Sequence, residues 1–399
     1  MAVIHAKING CQTYTDIAHY WDKRNKFLQS ILEGMPPSKY KISPETIRAV
    51  CCMVPPGTVT KLLNRFFNQQ KIPLEELLQN QKYATHLEFI KNGVSVTEPL
   101  LPTYGADGQE LRSTYFKGEL SRHKVLICTG LINCDARIAV DYMLVDKKNH
   151  ESHVIEKMIK KLPPGIFVAD AMNNTARLRS VLNKQHTDYI LPLKTNNGLK
   201  SFYHFVSNEF FKAEHEGKIE LSKKFLRTGH GRGELYTYYM MSVPKNHKGV
   251  RIPGCVKSLI WVKHGSARYI NNTPPKDINE ISVNFRYYMS SLEATPRNFA
   301  QACHSLDVRW LYEEHHNMPG IVMMQDRMNM RNINGIDFMC GINKIVYNLM
   351  SYIRQKLSRL KGRKSRPVSF RSAFQLCAAK PLQGVLGIMD YMASPPVAA

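Results

Sequence analysis

At 399 residues the chain is long enough for two or three domains with real cores, and its 43% hydrophobic and 10% aromatic content is that of a globular protein, which excludes a disordered one. Its 55 Lys and Arg outnumber 32 Asp and Glu, a formal charge of +23 that favours a polyanionic partner: nucleic acid first, an anionic membrane surface second, a basic protein without specific partner as the plain alternative. The nine cysteines form no Cys-x-x-Cys pair, the N-terminus lacks the apolar core of a signal peptide, and no run of 18 apolar residues occurs; this argues against a disulfide framework, a structural zinc site and a membrane span, and predicts an intracellular protein.

Residues 1–95 are predicted helical and form a candidate DNA-binding domain, with a plain helical cap on the next domain as the alternative. Tyr14, Ile17, Ala18 and Trp21 recur at helical spacing. Ser43-Pro44-Glu45 is a helix start, with a capping hydroxyl and then Pro in the first turn. Pro55-Pro56-Gly57 ends that helix. Val59, Leu62, Leu63, Phe66 and Phe67 give a further apolar face interleaved with Lys61 and Arg65, and Pro73 starts one more helix.

Residues 96–215 change character. Strands are predicted at 101–107, from His123 to Gly130, and from Arg137 to Val145, with Gly130 to Cys134 joining the last two. A helix at 150–161 follows, then the short apolar strand Ile166-Phe-Val-Ala-Asp170, a helix, a strand from Asp188 to Lys194, and a helix over 198–212. The order β-β-β-α-β-α-β-α is that of a ribonuclease-H-like α/β fold, a mixed sheet in which the first and fourth strands lie side by side. Asp107, read as a strand-end carboxylate entering an Asp-Gly turn, and Asp170 would then end adjacent strands. Residues 216–292 are predicted as a β-rich insertion. Residues 293–366 complete the core with a carboxylate-bearing helix from about Pro296 to Asn317 and a long basic helix over 335–360; residues 367–399 are a C-terminal tail.

Asp107, Asp170 and Glu313 form the candidate constellation. Carboxylates brought together repel one another and become tolerable when divalent cations neutralise them. Hard oxygen ligands with open positions suit Mg²⁺ or Mn²⁺, and two such ions can activate a water or a 3′-hydroxyl at a phosphodiester. The plain alternatives are a turn residue for Asp107, a helix cap for Asp170 and a solvated helix carboxylate for Glu313. His315 and His316 beside it are read as ordinary helix surface.

Over residues 10–355 the sequence resembles the DDE transposases of bacterial insertion sequences, closest to their H-repeat-associated (ISAs-type) group. Ala106-Asp107-Gly108 is similar to the first catalytic block of that family and Val168-Ala-Asp170-Ala171 to the second. Leu193-Lys194-Thr-Asn-Asn197 resembles the Lys-Gly-Asn-Gln block, and Gly229-His230-Gly231-Arg232-Gly-Glu234 the His-Gly-Arg block of the insertion. Arg309-Trp310-Leu-Tyr-Glu313 resembles the block of the third carboxylate, and Asp326-Arg-Met-Asn-Met-Arg331 the closing segment. The departures are Gln109 where the family has Lys, Glu314 where it has Asn, which makes Glu314 a rival of Glu313, and Thr195 where it has Gly. About forty residues of the family's N-terminal helical segment have no counterpart.

The resemblance implies metal-dependent cleavage at transposon ends and strand transfer into target DNA, by a cytoplasmic, nucleoid-associated bacterial protein that is a homodimer when bound to double-stranded DNA and uses two Mg²⁺ or Mn²⁺ ions. Asp107 and Asp170 would bridge the ions and Glu313 complete one site. Lys194, His230, Arg232, Trp310, Arg331 and the basic run with Arg354, Lys356 and Arg359 are the candidate DNA contacts; a solvated strand end, a glycine-rich hairpin, a core tryptophan and a solvated tail are their plain alternatives. The competing functions are a domesticated or decayed DNA-binding protein without catalysis, and a nuclease of the same fold that cuts without joining.

Overall fold

The computed structural model describes residues 2–31, 41–69, 100–111, 126–145, 151–160, 162–195, 198–229, 232–247, 249–268, 282–309, 312, 315, 318–325, 332–360 and 368–379. Nine strands share one mixed sheet: β1 (Thr103–Glu110), β2 (Ile127–Asn133), β3 (Ile138–Val145), β4 (Ile166–Ala169), β5 (Asp188–Leu193), β6 (Leu221–Gly229), β7 (Arg232–Ser242), β8 (Ser258–Arg268) and β9 (Ser282–Ser290). Their order is β3-β2-β1-β4-β5-β9-β8-β7-β6, with the first and fourth strands adjacent as the sequence predicts. The fold is α/β and ribonuclease-H-like. The β-rich segment is an extension of the same sheet, because β5 takes β9 as an antiparallel neighbour. The predicted helix beginning at Pro73 lies outside the described residues.

The chain divides into two compact units, and the division falls within β1, between Ala106 and Asp107. The first unit holds Met1–Leu77, Asp107–Met158 and Leu311–Ala399. Its helices are α1 (Ala2–Ile8), α2 (Tyr14–Ile31), α3 (Pro44–Met53), α4 (Thr58–Gln69), most of α5 (Glu151–Ile159), α9 (Ile333–Leu360) and α10 (Phe370–Ala379). The predicted start of α3 is real: the Ser43 hydroxyl accepts from the Thr46 amide, and Pro44 fills the first turn. α1, α3, α4 and α10 all pack on α9, and α4 and α9 also pack on β3. Polar contacts tie these layers. Asn348 of α9 exchanges two hydrogen bonds with the backbone of Ala139, at 2.7 and 3.0 Å. Asp337 accepts from the Gly57 amide at 3.0 Å through Oδ2, and its carbonyl accepts from the Tyr142 hydroxyl at 2.9 Å.

One side chain in this unit makes stability depend on pH. Lys7 is fully buried, and its Nζ donates to the Gln12 carbonyl at 2.9 Å and the Met323 carbonyl at 3.4 Å. Burial lowers its pKa from 10.5 to about 8. Between those values the unfolded chain holds a proton that the folded chain has released, so stability rises with pH across that window and the burial cost is present in full below it. Urea denaturation at stepped pH is expected to give the wild type, relative to Lys7→Met, a gain of about 3 kcal/mol between pH 7.5 and 10.5. A constant difference between the two would remove Lys7 as the cause.

The second unit holds Leu78–Ala106 and Ile159–Trp310. Here β1 runs parallel to β4 and β4 parallel to β5, with Thr103 opposite Ile166 and Ala106 opposite Ala169. β4 is buried throughout, which is why it reads as a bare apolar run. Helices α6 (Ala176–Lys184), α7 (Lys200–His215) and α8 (Pro296–Val308) accompany it. Phe299, Ala302, Cys303 and Leu306 of α8 share one core with Ile166, Val168, Ile190, Tyr238, Ile260 and Tyr288, so the extension and the parallel strands are stabilised by the same burial. Gln301 is buried and bonds both backbone groups of Leu101, at 2.7 and 3.0 Å, fixing the approach to β1 against α8. Among the described residues no helix is long and apolar enough to cross a membrane.

Candidate active site

Asp107 lies inside β1, which continues to Glu110; the sequence expectation of a strand ending in an Asp-Gly turn is corrected here. The reason is packing at Gly108. A Cβ there would stand 2.6 Å from the Glu151 carboxyl carbon and 2.7 Å from an Ile127 methyl, so the glycine serves close approach by α5 and β2, and Leu111 still donates to the Leu126 carbonyl at 2.9 Å. Asp107 is half-buried, and the Gly108 amide donates to its Oδ1 at 2.9 Å. Its carbonyl accepts from the Tyr312 hydroxyl at 2.8 Å, and that hydroxyl also lies 2.9 Å from the Gly130 carbonyl.

Gly130 itself sits within β2. The predicted connection from Gly130 to Cys134 is corrected too: the turn occupies 134–137, where Asn133 Oδ1 accepts from the Ala136 amide and Arg137 takes a left-handed φ of 54°. Gly130 lies beside three polar side chains. A Cβ there would lie 3.4 Å from Lys344 Nζ and 3.6 Å from both His315 Nε2 and the Tyr312 hydroxyl. His315, expected on the helix surface, is fully buried, its Nε2 2.8 Å from Lys344 Nζ. Its polar partner is a lysine brought by α9, and nothing in the sequence around residue 315 announces that. Burial lowers the Lys344 pKa and raises that of Tyr312 well above its ordinary value, so the phenol remains a donor.

In the second unit Asp170 follows β4 directly. It precedes the short turn Ala171–Asn173 in extended conformation but makes no side-chain cap bond, so its carboxylate is not spent on that turn. Asp170 is 57% exposed and faces the better-buried Arg309, with Nη1 3.9 Å from Oδ1. Helix α8 delivers Arg309 at its C-terminal end. The loop after Asp170 is anchored to β5 through Asn174, whose amide donates to the Pro192 carbonyl at 2.9 Å and whose Oδ1 accepts from Arg179. Lys194 is exposed just beyond β5, the parallel neighbour of β4.

Of the other sequence-selected residues, Glu313 and its rival Glu314, Trp310, His230 and Arg331 lie outside the described residues. Arg232 opens β7 in register with Gly229 and Arg268. Lys356 and Arg359 lie on α9. Arg354 is half-buried: its Nε donates to the Val368 carbonyl and its guanidinium lies 4.7 Å above the Phe370 ring. Sequence reasoning missed Tyr312 as the partner of Asp107, and Gly130 and Lys344 as parts of the cluster around that tyrosine. The readable signals were a glycine inside an otherwise apolar strand and a lysine inside the apolar run Ile342-Asn-Lys-Ile-Val346.

Asp107 and Asp170 offer acceptor-only hard oxygens, the donor chemistry of Mg²⁺ or Mn²⁺, which bind through one or two carboxylates and retain several waters. Among the described residues no three His, Cys, Asp or Glu side chains gather into a metal-holding group.

A family model described as "Transposase DDE domain" matches residues 100–349, more than half of the chain. No curated protein matches. Among solved structures the chain is similar to a piggyBac transposase synaptic complex with hairpin DNA, at 9% identity and a TM-score of 0.37, covering 100% of this chain and 82% of that one.

Proposed function

The chain belongs to the transposase DDE-domain family, and on that premise we propose that it cuts DNA at the ends of a mobile element and joins the freed 3′ ends to a target. The observation that carries this reading is the β1–β4 register. It closes on the pair Ala106–Ala169, and each of these alanines is followed directly by an aspartate. Glu313, the third acid of the family's pattern, follows Arg309 by four residues. The order of all the sequence blocks supports the H-repeat-associated group in particular.

Asp107, Asp170 and Glu313 would hold two Mg²⁺ or Mn²⁺ ions, which supply activation of the attacking oxygen and stabilisation of the leaving one. In the first step a water oxygen attacks phosphorus, the P–O3′ bond breaks, and the 3′-hydroxyl is released. In the second that hydroxyl attacks a target phosphodiester and displaces its 3′ oxygen, so phosphodiester bonds are conserved. Arg309, beside Asp170, and Lys194, beyond β5, supply cations at the strand ends where a phosphate would meet the carboxylates. His230, Arg232, Trp310, Arg331, Lys356 and Arg359 are proposed DNA contacts, supported by the charge of +23. Arg354 contributes by holding the end of α9 to α10. Joining two element ends in one reaction calls for two copies of the chain on DNA.

The test is cleavage and joining of labelled DNA carrying the element's own ends, with Mg²⁺ or Mn²⁺, by wild type and Asp107→Asn. Joined products that disappear in the variant support the reading. Cleavage without joining would replace it with a nuclease. No cleavage, with salt-sensitive DNA binding intact, would replace it with a DNA-binding role.

A further inference from the structure

We propose that Tyr312 is a positioning residue for the Asp107 carboxylate, a role that rests on the reading of Asp107 as a metal ligand. Its buried hydroxyl has one hydrogen and two acceptors, the Asp107 carbonyl on β1 at 2.8 Å and the Gly130 carbonyl on β2 at 2.9 Å. A single phenol thus clasps two neighbouring strands at the residue that carries the ligand. The same backbone step sets the carboxylate's direction, because the next amide, Gly108 N–H, donates to Asp107 Oδ1 at 2.9 Å.

The clasp is itself supported. The His315 ring lies edge-on to Tyr312 at 5.9 Å and to Tyr347 at 4.4 Å, and its Nε2 meets Lys344 Nζ at 2.8 Å. Tyr347 stacks on Phe370. The phenol, the imidazole and the ammonium gather beside Gly130 of β2. α9 therefore reaches the Asp107 backbone through His315 and Tyr312, all within one unit of the chain. Tyr312 also precedes the proposed third acid, Glu313, by one peptide bond in the sequence.

A ligand held in its working orientation loses less freedom on binding a metal. Removing the hydroxyl loosens the Asp107 backbone and weakens metal affinity, while a saturating metal concentration restores the carboxylate to its place. The experiment is Mn²⁺ titration of the full chain by calorimetry without DNA, for wild type, Tyr312→Phe, Tyr142→Phe and Asp107→Asn. Tyr142 is the matched control, since its buried hydroxyl also donates to a backbone carbonyl, that of Asp337 at 2.9 Å.

Tyr312→Phe is expected to raise the Mn²⁺ dissociation constant about tenfold, and Tyr142→Phe to leave it within about twofold. The Mg²⁺ concentration for half-maximal cleavage should move with the first variant, and the rate at saturating metal should stay within about twofold of wild type. Unchanged Mn²⁺ affinity in Tyr312→Phe, or an equal shift in Tyr142→Phe, overturns the proposal. Equal binding by wild type and Asp107→Asn would instead overturn the assignment of Asp107 as a ligand. If Tyr312→Phe does not fold, His315→Gln takes its place: it keeps an acceptor for Lys344 and loses the ring beside Tyr312, and is expected to raise the constant about threefold. No change there counts against the proposal equally.

Discussion

The Asp107→Asn protein is expected to bind element-end DNA as tightly as wild type and to cut it about a thousandfold more slowly, a barrier increase of about 4 kcal/mol. The substitution isolates charge. Asparagine has nearly the volume of aspartate, and its carbonyl oxygen can still accept from the Gly108 amide, which meets Asp107 Oδ1 at 2.9 Å. The Tyr312 bond is made to the backbone and survives. The fold should therefore persist, with a melting temperature within about 2 °C of wild type, while a metal loses a negative ligand. Single-turnover cleavage on labelled ends, run beside a binding titration, separates the two effects. Equal cleavage rates would remove Asp107 from the reaction.

Gly165→Ala is expected to cost about 3 kcal/mol, a fall in melting temperature of about 3–4 °C in a chain of this size. A Cβ at that position would stand 2.6 Å from the Pro102 carbonyl oxygen and 2.5 Å from Tyr104 Cε2. Neither neighbour can yield cheaply. The carbonyl accepts the first bond of the β1–β4 ladder, from the Ile166 amide at 2.8 Å, and the Tyr104 ring is buried. The strain falls at the start of the two strands that lead to Asp107 and Asp170, so cleavage should fall along with stability. Gly254→Ala is the control in the same unit, since nothing lies within 4 Å of its Cβ position. Thermal melts followed by circular dichroism decide it, and a fall of less than about 2 °C would mean that the approach to β4 relaxes at little cost.

The architecture was legible wherever local pattern and tertiary setting agree. Ser43-Pro44 starts a helix, the apolar runs at Ile166 and Tyr189 are buried parallel strands, and the element order alone placed the first strand beside the fourth. The pattern misled wherever a glycine answered to a distant neighbour. Asp107-Gly108 has the composition of a turn but lies within a strand because Glu151 and Ile127 occupy the space beside the glycine. Gly130 has the look of a hairpin residue but lies within β2, beside Tyr312, Lys344 and His315, and the true turn falls at 134–137. His315 stands among polar neighbours in sequence and in the core in space, because its partner Lys344 is 29 residues away. Of the candidate site, Asp107 and Asp170 could be named from the chain, while the groups that hold Asp107 could not, since they are joined only by folding.

The N-terminal helices pack on an element near the far end of the chain, and this sets the order of events during synthesis. Gly57 waits for Asp337, 280 residues later, and Lys7 waits for Met323, 316 residues later. At a translation rate of about 5–20 residues per second, α1, α3 and α4 leave the ribosome on the order of 15–60 s before α9 exists to cover them. During that interval the faces of α3 and α4 that pack on α9, with Val59 against Gly341, lack their partner. The nascent chain should therefore depend on holding chaperones and gain its cooperative stability late, and truncation before α9 should yield aggregates rather than a smaller folded protein.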